Sequence, residues 1–113
     1  MPTYLISNRA PRDYHPSAEA AAAWNAWFGR LGDHLVDRGN PVFTSRTLGA
    51  PAGATALGGY TLIDAEDLDA AVKLAGDCPI LTDGGGVEVG ELTLLNRGTE
   101  SITGSASSSG TGA

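Results

Sequence analysis

The chain has 113 residues, enough for one domain and too few for two of ordinary size. Thirteen acidic against seven basic residues leave a net charge of −6, and no three Lys or Arg are adjacent, so no nucleic-acid partner is expected. The one cysteine, Cys78, excludes an intramolecular disulfide and any C-x-x-C metal or redox site.

Tyr4-Leu5-Ile6 reads as a first strand, and Asn8 to Pro16, with two prolines among polar residues, as a loop. Ser17 is placed to cap a helix that begins with Glu19 and a run of alanines and continues to about Arg38. At about 100° per residue, Trp24, Trp27, Phe28, Leu31 and Leu35 share one face of it. Gly39 is the expected end, because Asn40-Pro41 forbids continuation, while Gly29 and Gly32 each weaken the helix by roughly 1 kcal/mol. Val42 to Leu48 is β-branched and aromatic, hence a second strand, and Gly49 to Ala56 is a flexible connection.

Leu57 to Ile63 is the third strand. Asp64 is the expected cap of a second helix whose buried stripe is Leu68, Ala71, Val72 and Ala75, with Asp67, Glu66 and Asp69 suited to the positive end of its dipole. After Cys78-Pro79 comes a turn at Asp83-Gly84-Gly85-Gly86, then a last strand from Val87 to about Leu95. The glycines of that turn lack the G-x-G-x-x-G spacing and a following helix, so they make no phosphate loop. Residues 97–113 are mostly Gly, Ser, Thr and Ala and read as a flexible tail on a domain spanning 1–96. The first strand begins almost at Met1 without a basic-then-apolar leader, and no apolar run approaches about 18 residues, so a soluble cytoplasmic protein with no membrane contact is expected.

The order β-α-β-β-α-β specifies an α+β, ferredoxin-like fold: a four-stranded antiparallel sheet with two helices on one face. The strands also place apolar residues on both faces, Tyr60 and Leu62 against Ile63, and Val87 and Val89 against Leu92 and Leu94. Two helices cover one face, so the other needs a cover, and a second copy of the chain is the simplest. A homodimer with sheets face to face is expected.

The segments W-N-A-W-F-G-R-L-G-D-H-L-V-D-R-G-N-P, G-G-Y-T-L-I-D-A-E-D-L-D-A-A-V-K-L-A-G-D-C-P and V-E-V resemble the YCII-related family, closest to bacterial members allied to the DGPF-type proteins, over about residues 3–92. The resemblance implies a dimeric α+β barrel, with relatives that resemble dehydrochlorinases of aromatic degradation and members carrying a His-Asp pair proposed as catalytic. The D-G-P-F segment is absent, with Gly49 to Ala56 in its place. Counting back from Gly39 to the position of the family histidine reaches Phe28, so the pair is not carried over.

Candidates for chemistry remain. His34 has Asp37 three residues on and Arg30 four back, and a histidine beside a carboxylate can act as a general base near neutrality. The plainer reading is a boundary histidine satisfied by Asp37 or water. Arg9, Arg12, Tyr14 and His15 crowd the first loop, either to hold a carboxylate or phenolate, with His15 a second proton acceptor, or as an ordinary solvated loop. Arg46 is a cation facing the dimer interior or a guard on an edge strand. Trp24 and Trp27 are core at this spacing, or a stacking platform. No H-E-x-x-H, G-x-S-x-G or Cys-His ligand set is present, and no metal or cofactor is expected. The leading expectation is a cytoplasmic homodimer binding a small molecule or a protein partner without demonstrable catalysis. The rival is a cofactor-free, dehydrochlorinase- or isomerase-like enzyme for an aromatic or quinone-type substrate, using His34 or His15 as proton acceptor and Arg46 on an oxyanion.

Overall fold

The computed structural model describes residues 1–50 and 53–95. The tail expected over 97–113 lies outside them. Strict alternation makes β1 (Thr3–Pro11) a strand with every second residue buried, Tyr4, Ile6, Asn8 and Ala10. It is longer than expected, so Arg9 lies within a strand and the first loop shrinks to a tight turn. Tyr14 N–H donates to the Pro11 carbonyl at 3.1 Å there, and Asp13 takes φ 63°, which a short polar side chain tolerates.

Helix α1 (Ala18–Leu31) starts as expected, the Ser17 side chain accepting from the Ala20 N–H at 3.1 Å. It ends seven residues short of Arg38. Gly32 adopts φ 54°, a 3-10 turn covers Gly32–His34, and Leu35–Asp37 form β2. The residues assigned to the last helical turn instead pair with β3 (Thr55–Asp64), Leu35 opposite Ile63. Val42–Leu48 is therefore not the second strand. Beyond a bridge from Pro41 to Gly59 and a bond from Val42 N–H to the Gly58 carbonyl, that segment is irregular, with Phe43 and Leu48 exposed.

Helix α2 (Leu68–Ala75) is capped by Asp67, whose Oδ1 accepts from the Ala70 N–H at 2.8 Å. Asp64, the expected cap, remains in β3 and accepts from Thr3 Oγ1 at 2.8 Å. Of the expected stripe only Ala71 and Ala75 are buried; Leu68 and Val72 are about half exposed, because the small alanines let this short helix lie close to its neighbours on that row alone. A second 3-10 turn (Pro79–Leu81) leads into β4 (Gly86–Glu91), which stops four residues before Leu95, leaving Leu94 95% exposed.

The sheet order β2-β3-β1-β4, antiparallel throughout, is that of the ferredoxin-like α+β fold. Both helices share one core with one face of the sheet, built on Tyr4, Ile6, Trp27, Leu31, Ile63 and Ile80. Trp27 Nε1–H donates to the Leu74 carbonyl at 3.1 Å, tying α1 to α2. The two-faced pattern holds for β3, where Tyr60 and Leu62 alternate with the buried Thr61 and Ile63, and needs correcting at β4. Val87 and Val89 sit opposite Asn8 and Ile6 and pack on the helix side, while Leu92 and Leu94 lie past the strand. By alternation the other face carries Leu5, Tyr60 and Leu62, with Leu57 opposite Arg9, among Thr3, Ser7, Arg9 and Glu88. No helix among the described residues is long and apolar enough to cross a membrane.

Candidate functional site

The core does not fill the whole space between α1 and the sheet. Along the helix-covered face of β1 the side chains run Tyr4, Ile6, Asn8, Ala10; β3 runs antiparallel and opposes them with Ile63, Thr61 and Gly59. Both series lose bulk toward the same end. Where the side chains are large the layers close, and where they are small a cavity of about 520 Å³ remains. That is within the range of roughly 300–1,000 Å³ usual for small-molecule sites.

Trp24 and Phe28 of α1 form one wall, with ring centroids 6.0 Å apart. The 11–16 turn contributes Tyr14 and His15, and the segment after β2 contributes Phe43, on which His15 stacks at 5.8 Å. Asn8 lies at the strand wall. Arg12 and Arg38 supply positive charge. The Arg38 guanidinium lies 4.5 Å over the Phe28 ring while its Nη2 donates to Asn25 Oδ1 at 2.7 Å, which holds a cation beside the aromatic wall. Gly39 has to be glycine: it takes φ 75°, and a Cβ there would run into the Tyr60 carbonyl oxygen.

The titratable groups have distinct states. Tyr14 donates its hydroxyl to Asp83 Oδ2 at 2.7 Å; burial first, then this bond and the negative charge of Asp83, raise its pKa, so it stays protonated and acts as a donor. Burial pushes the Cys78 thiol up to about 11, which makes it a packing group and a poor nucleophile. Among the described residues no three His, Cys, Asp or Glu side chains gather to hold a metal ion.

The structure brings together Arg12, Tyr14 and His15 and leaves the other expected site residues elsewhere. Arg9 alternates onto the opposite face of the sheet, where its Nε and Nη2 donate to Thr55 Oγ1 and carbonyl at 2.9 and 2.7 Å. His34 does not pair with Asp37. Its Nδ1–H donates to the Asp64 carbonyl at 2.9 Å, whereas Asp37 Oδ1 accepts from the Gly39 N–H at 2.8 Å, because the helix that would have aligned them has ended. Arg46 is exposed, outside the strand expected to carry it and outside the cavity lining. The two tryptophans divide the alternatives between them: Trp27 is core and Trp24 lines the cavity. Asn8, Phe28, Arg38 and Phe43 were not anticipated. The alternation that begins at Tyr4 continues through Asn8 and Ala10, and following it past Ile6 with its falling side-chain size would have marked the opening.

Neither a protein-family model nor a curated protein matches the chain. Among solved structures it is similar to a 5-chloro-2-hydroxyhydroquinone dehydrochlorinase from Burkholderia phenoliruptrix, solved in complex with 2,5-dihydroxybenzoquinone. The identity is 21%, the TM-score 0.51, and the match covers 80% of this chain and 93% of that one. At that identity the two share a fold.

Proposed function

We propose that this protein binds a planar, oxygen-substituted aromatic or quinone-type small molecule in the cavity between α1 and the sheet. The observation that carries the reading is the wall of Tyr14, Trp24, Phe28 and Phe43 around about 520 Å³, with Arg12 and Arg38 on the same lining. Aromatic walls favour a flat ring, and two guanidinium groups favour one bearing a carboxylate or ionised hydroxyl. On a chain of net charge −6, two of seven basic residues at one opening are a local exception to the repulsion an anion otherwise meets. The quinone held by the structural neighbour supports the choice of ring, and with the sequence resemblance it supports membership of the YCII-related family.

Isothermal titration with 2,5-dihydroxybenzoquinone tests this. A Kd of about 100 μM or tighter is expected, weakened at least about tenfold in Phe28→Ala. The absence of heat at millimolar ligand removes the proposal. A second reading, cofactor-free catalysis, is supported by His15 on the cavity wall beside the protonated Tyr14. In it His15 takes the proton of a ring hydroxyl and returns it to the halide-bearing ring carbon to give the keto tautomer. An Arg steadies the oxyanion as a second hydroxyl loses its proton and the halide leaves, giving the hydroxyquinone and HX. Chloride release from a chlorinated hydroxyhydroquinone, lost in His15→Gln, is its signature; binding without release returns the protein to the binding class.

We further infer a cytoplasmic homodimer in which the faces bearing Leu5 and Leu62 cover one another, because both helices pack on the other side of the sheet. Sedimentation at micromolar concentration is expected to give twice the chain mass, and a lone subunit ends that part of the proposal.

A further inference from the structure

We propose that the Asn8 carboxamide is the recognition group of the cavity and selects rings that carry oxygens on two adjacent carbons. The inference rests on the reading of this cavity as a binding site.

Asn8 and Thr61 are the two buried polar side chains among the described residues, at 6% and 2% exposure. They are neighbours on the covered face, since Ile6 opposes Thr61 and Asn8 opposes Gly59. Thr61 is satisfied, donating Oγ1–H to the Arg38 carbonyl at 3.1 Å. Asn8 has no side-chain hydrogen bond among the described residues, although it lines the cavity. A buried carboxamide without partners is costly, and nearly all such groups in folded proteins have one. For packing alone an apolar residue of the same size would serve better.

The opposing strand keeps space for this amide. A Cβ at Gly58 would lie 2.5 Å from Asn8 Oδ1, whereas one at Gly59 would meet the Asn40 carbonyl oxygen at 2.8 Å and reach Asn8 Nδ2 only at 3.4 Å. The register between β1 and β3 shifts between Asn8 and Arg9, so the two glycines sit at a bulge beside the side chain. Paired glycines inside a strand weaken it, and they mark places where another group must approach closely. Here Gly59 admits the Asn40-Pro41 backbone and Gly58 admits the Asn8 amide, held at the cavity wall without a side-chain hydrogen bond among the described residues.

A carboxamide presents a donor and an acceptor side by side in one plane. The ligand edge that meets both offers an acceptor and a donor at neighbouring positions. On a ring, that means a hydroxyl next to a second hydroxyl or next to a carbonyl. Oxygens placed across the ring from each other can engage only half of the amide, and a buried site left half paired discriminates strongly.

Catechol and hydroquinone test the inference, since they share composition and differ only in whether the two hydroxyls are adjacent or opposite. Titrated under nitrogen into the full chain, catechol is expected to bind about tenfold more tightly, the effect of two net hydrogen bonds against one or none. Asn8→Leu is expected to bind the two isomers within about twofold of each other and to raise Tm by about 4 °C or more as the unpaired amide is removed. Asn8→Ala, which needs no room for a larger side chain, is expected to level the isomers in the same way. Equal binding by the wild type, or a preference that survives both substitutions, overturns the inference and leaves the cavity reading standing. A fall in Tm for Asn8→Leu overturns it as well, by showing that the amide holds the structure together. If neither isomer binds while 2,5-dihydroxybenzoquinone does, the inference fails and the cavity reading stands; if none of the three binds, both fail.

Discussion

The two ends of the space between α1 and the sheet are built from the same elements and behave differently. At one end Tyr4, Ile6, Ile63, Trp27 and Leu31 close on one another with at most 2% exposure. At the other, Asn8, Ala10 and Gly59 face Trp24 and Phe28 across an opening. Helix geometry puts Trp27 and Phe28 on adjacent positions, so one turn of α1 serves both ends. Stability is concentrated where bulk meets bulk, and recognition is available where it does not. A binding cavity here needs no special loop or motif, only two antiparallel strands whose inward residues shrink in the same direction.

That contrast can be broken from its strong end first. Trp27→Ala is expected to cost about 3–5 kcal/mol, since it empties the packed end and removes the bond to the Leu74 carbonyl; urea unfolding reads the loss, and a cost below about 1 kcal/mol contradicts the division. Next comes pH. Cys78 belongs to the packed core, and its folded pKa of about 11 stands above the ordinary value of 9.0. The folded state therefore favours the protonated thiol. The associated stability is fully present below pH 9 and is lost as pH rises through 11, a change of roughly 2–3 kcal/mol. Urea midpoints of wild type and Cys78→Ala across that window are expected to diverge, with the variant showing the flatter slope.

Smaller effects sharpen the open end. Phe28→Ala, on a ring only partly buried at the cavity wall, is expected to cost no more than about 1.5 kcal/mol of stability while producing the large loss of quinone affinity described above. A stability loss as large as that of Trp27→Ala marks Phe28 as core and erases the distinction. Arg46→Ala is the near-silent change, expected to stay within about 0.5 kcal/mol in stability and about twofold in affinity, because that side chain is exposed and away from the lining. Measured beside Phe28→Ala, it separates the cavity from general surface charge.

Much of the fold was legible because local chemistry carries it. Ser17 caps α1, and the acidic run before Leu68 opens α2, although Asp67 and not the expected Asp64 is the cap. The glycines after Asp83 turn, and apolar runs mark the start of β1 and most of β3. The second strand was not legible. Leu35 fits the apolar stripe of α1 at helical spacing and equally fits a strand, and nothing within ten residues of it decides the matter. Val42–Leu48 has the better β composition but lacks a neighbour to pair with. The candidate site was legible only in part, through Arg12, Tyr14 and His15, which the turn after β1 delivers together. Arg38 could not be placed while the helix was read as running up to it.

The sequence by itself determined the number and order of elements and the antiparallel α+β class. These follow from side-chain period, capping and backbone freedom, all set within a few residues. Tertiary structure decided where α1 stops, because hydrogen bonding of residues 35–37 to β3 competes with one more helical turn across more than twenty residues of chain. It decided the partners of His34 in the same way, giving it the Asp64 carbonyl in place of Asp37. It also decided that there is a cavity. Empty space is the distance between surfaces that packing leaves apart, and only the assembled layers set that distance.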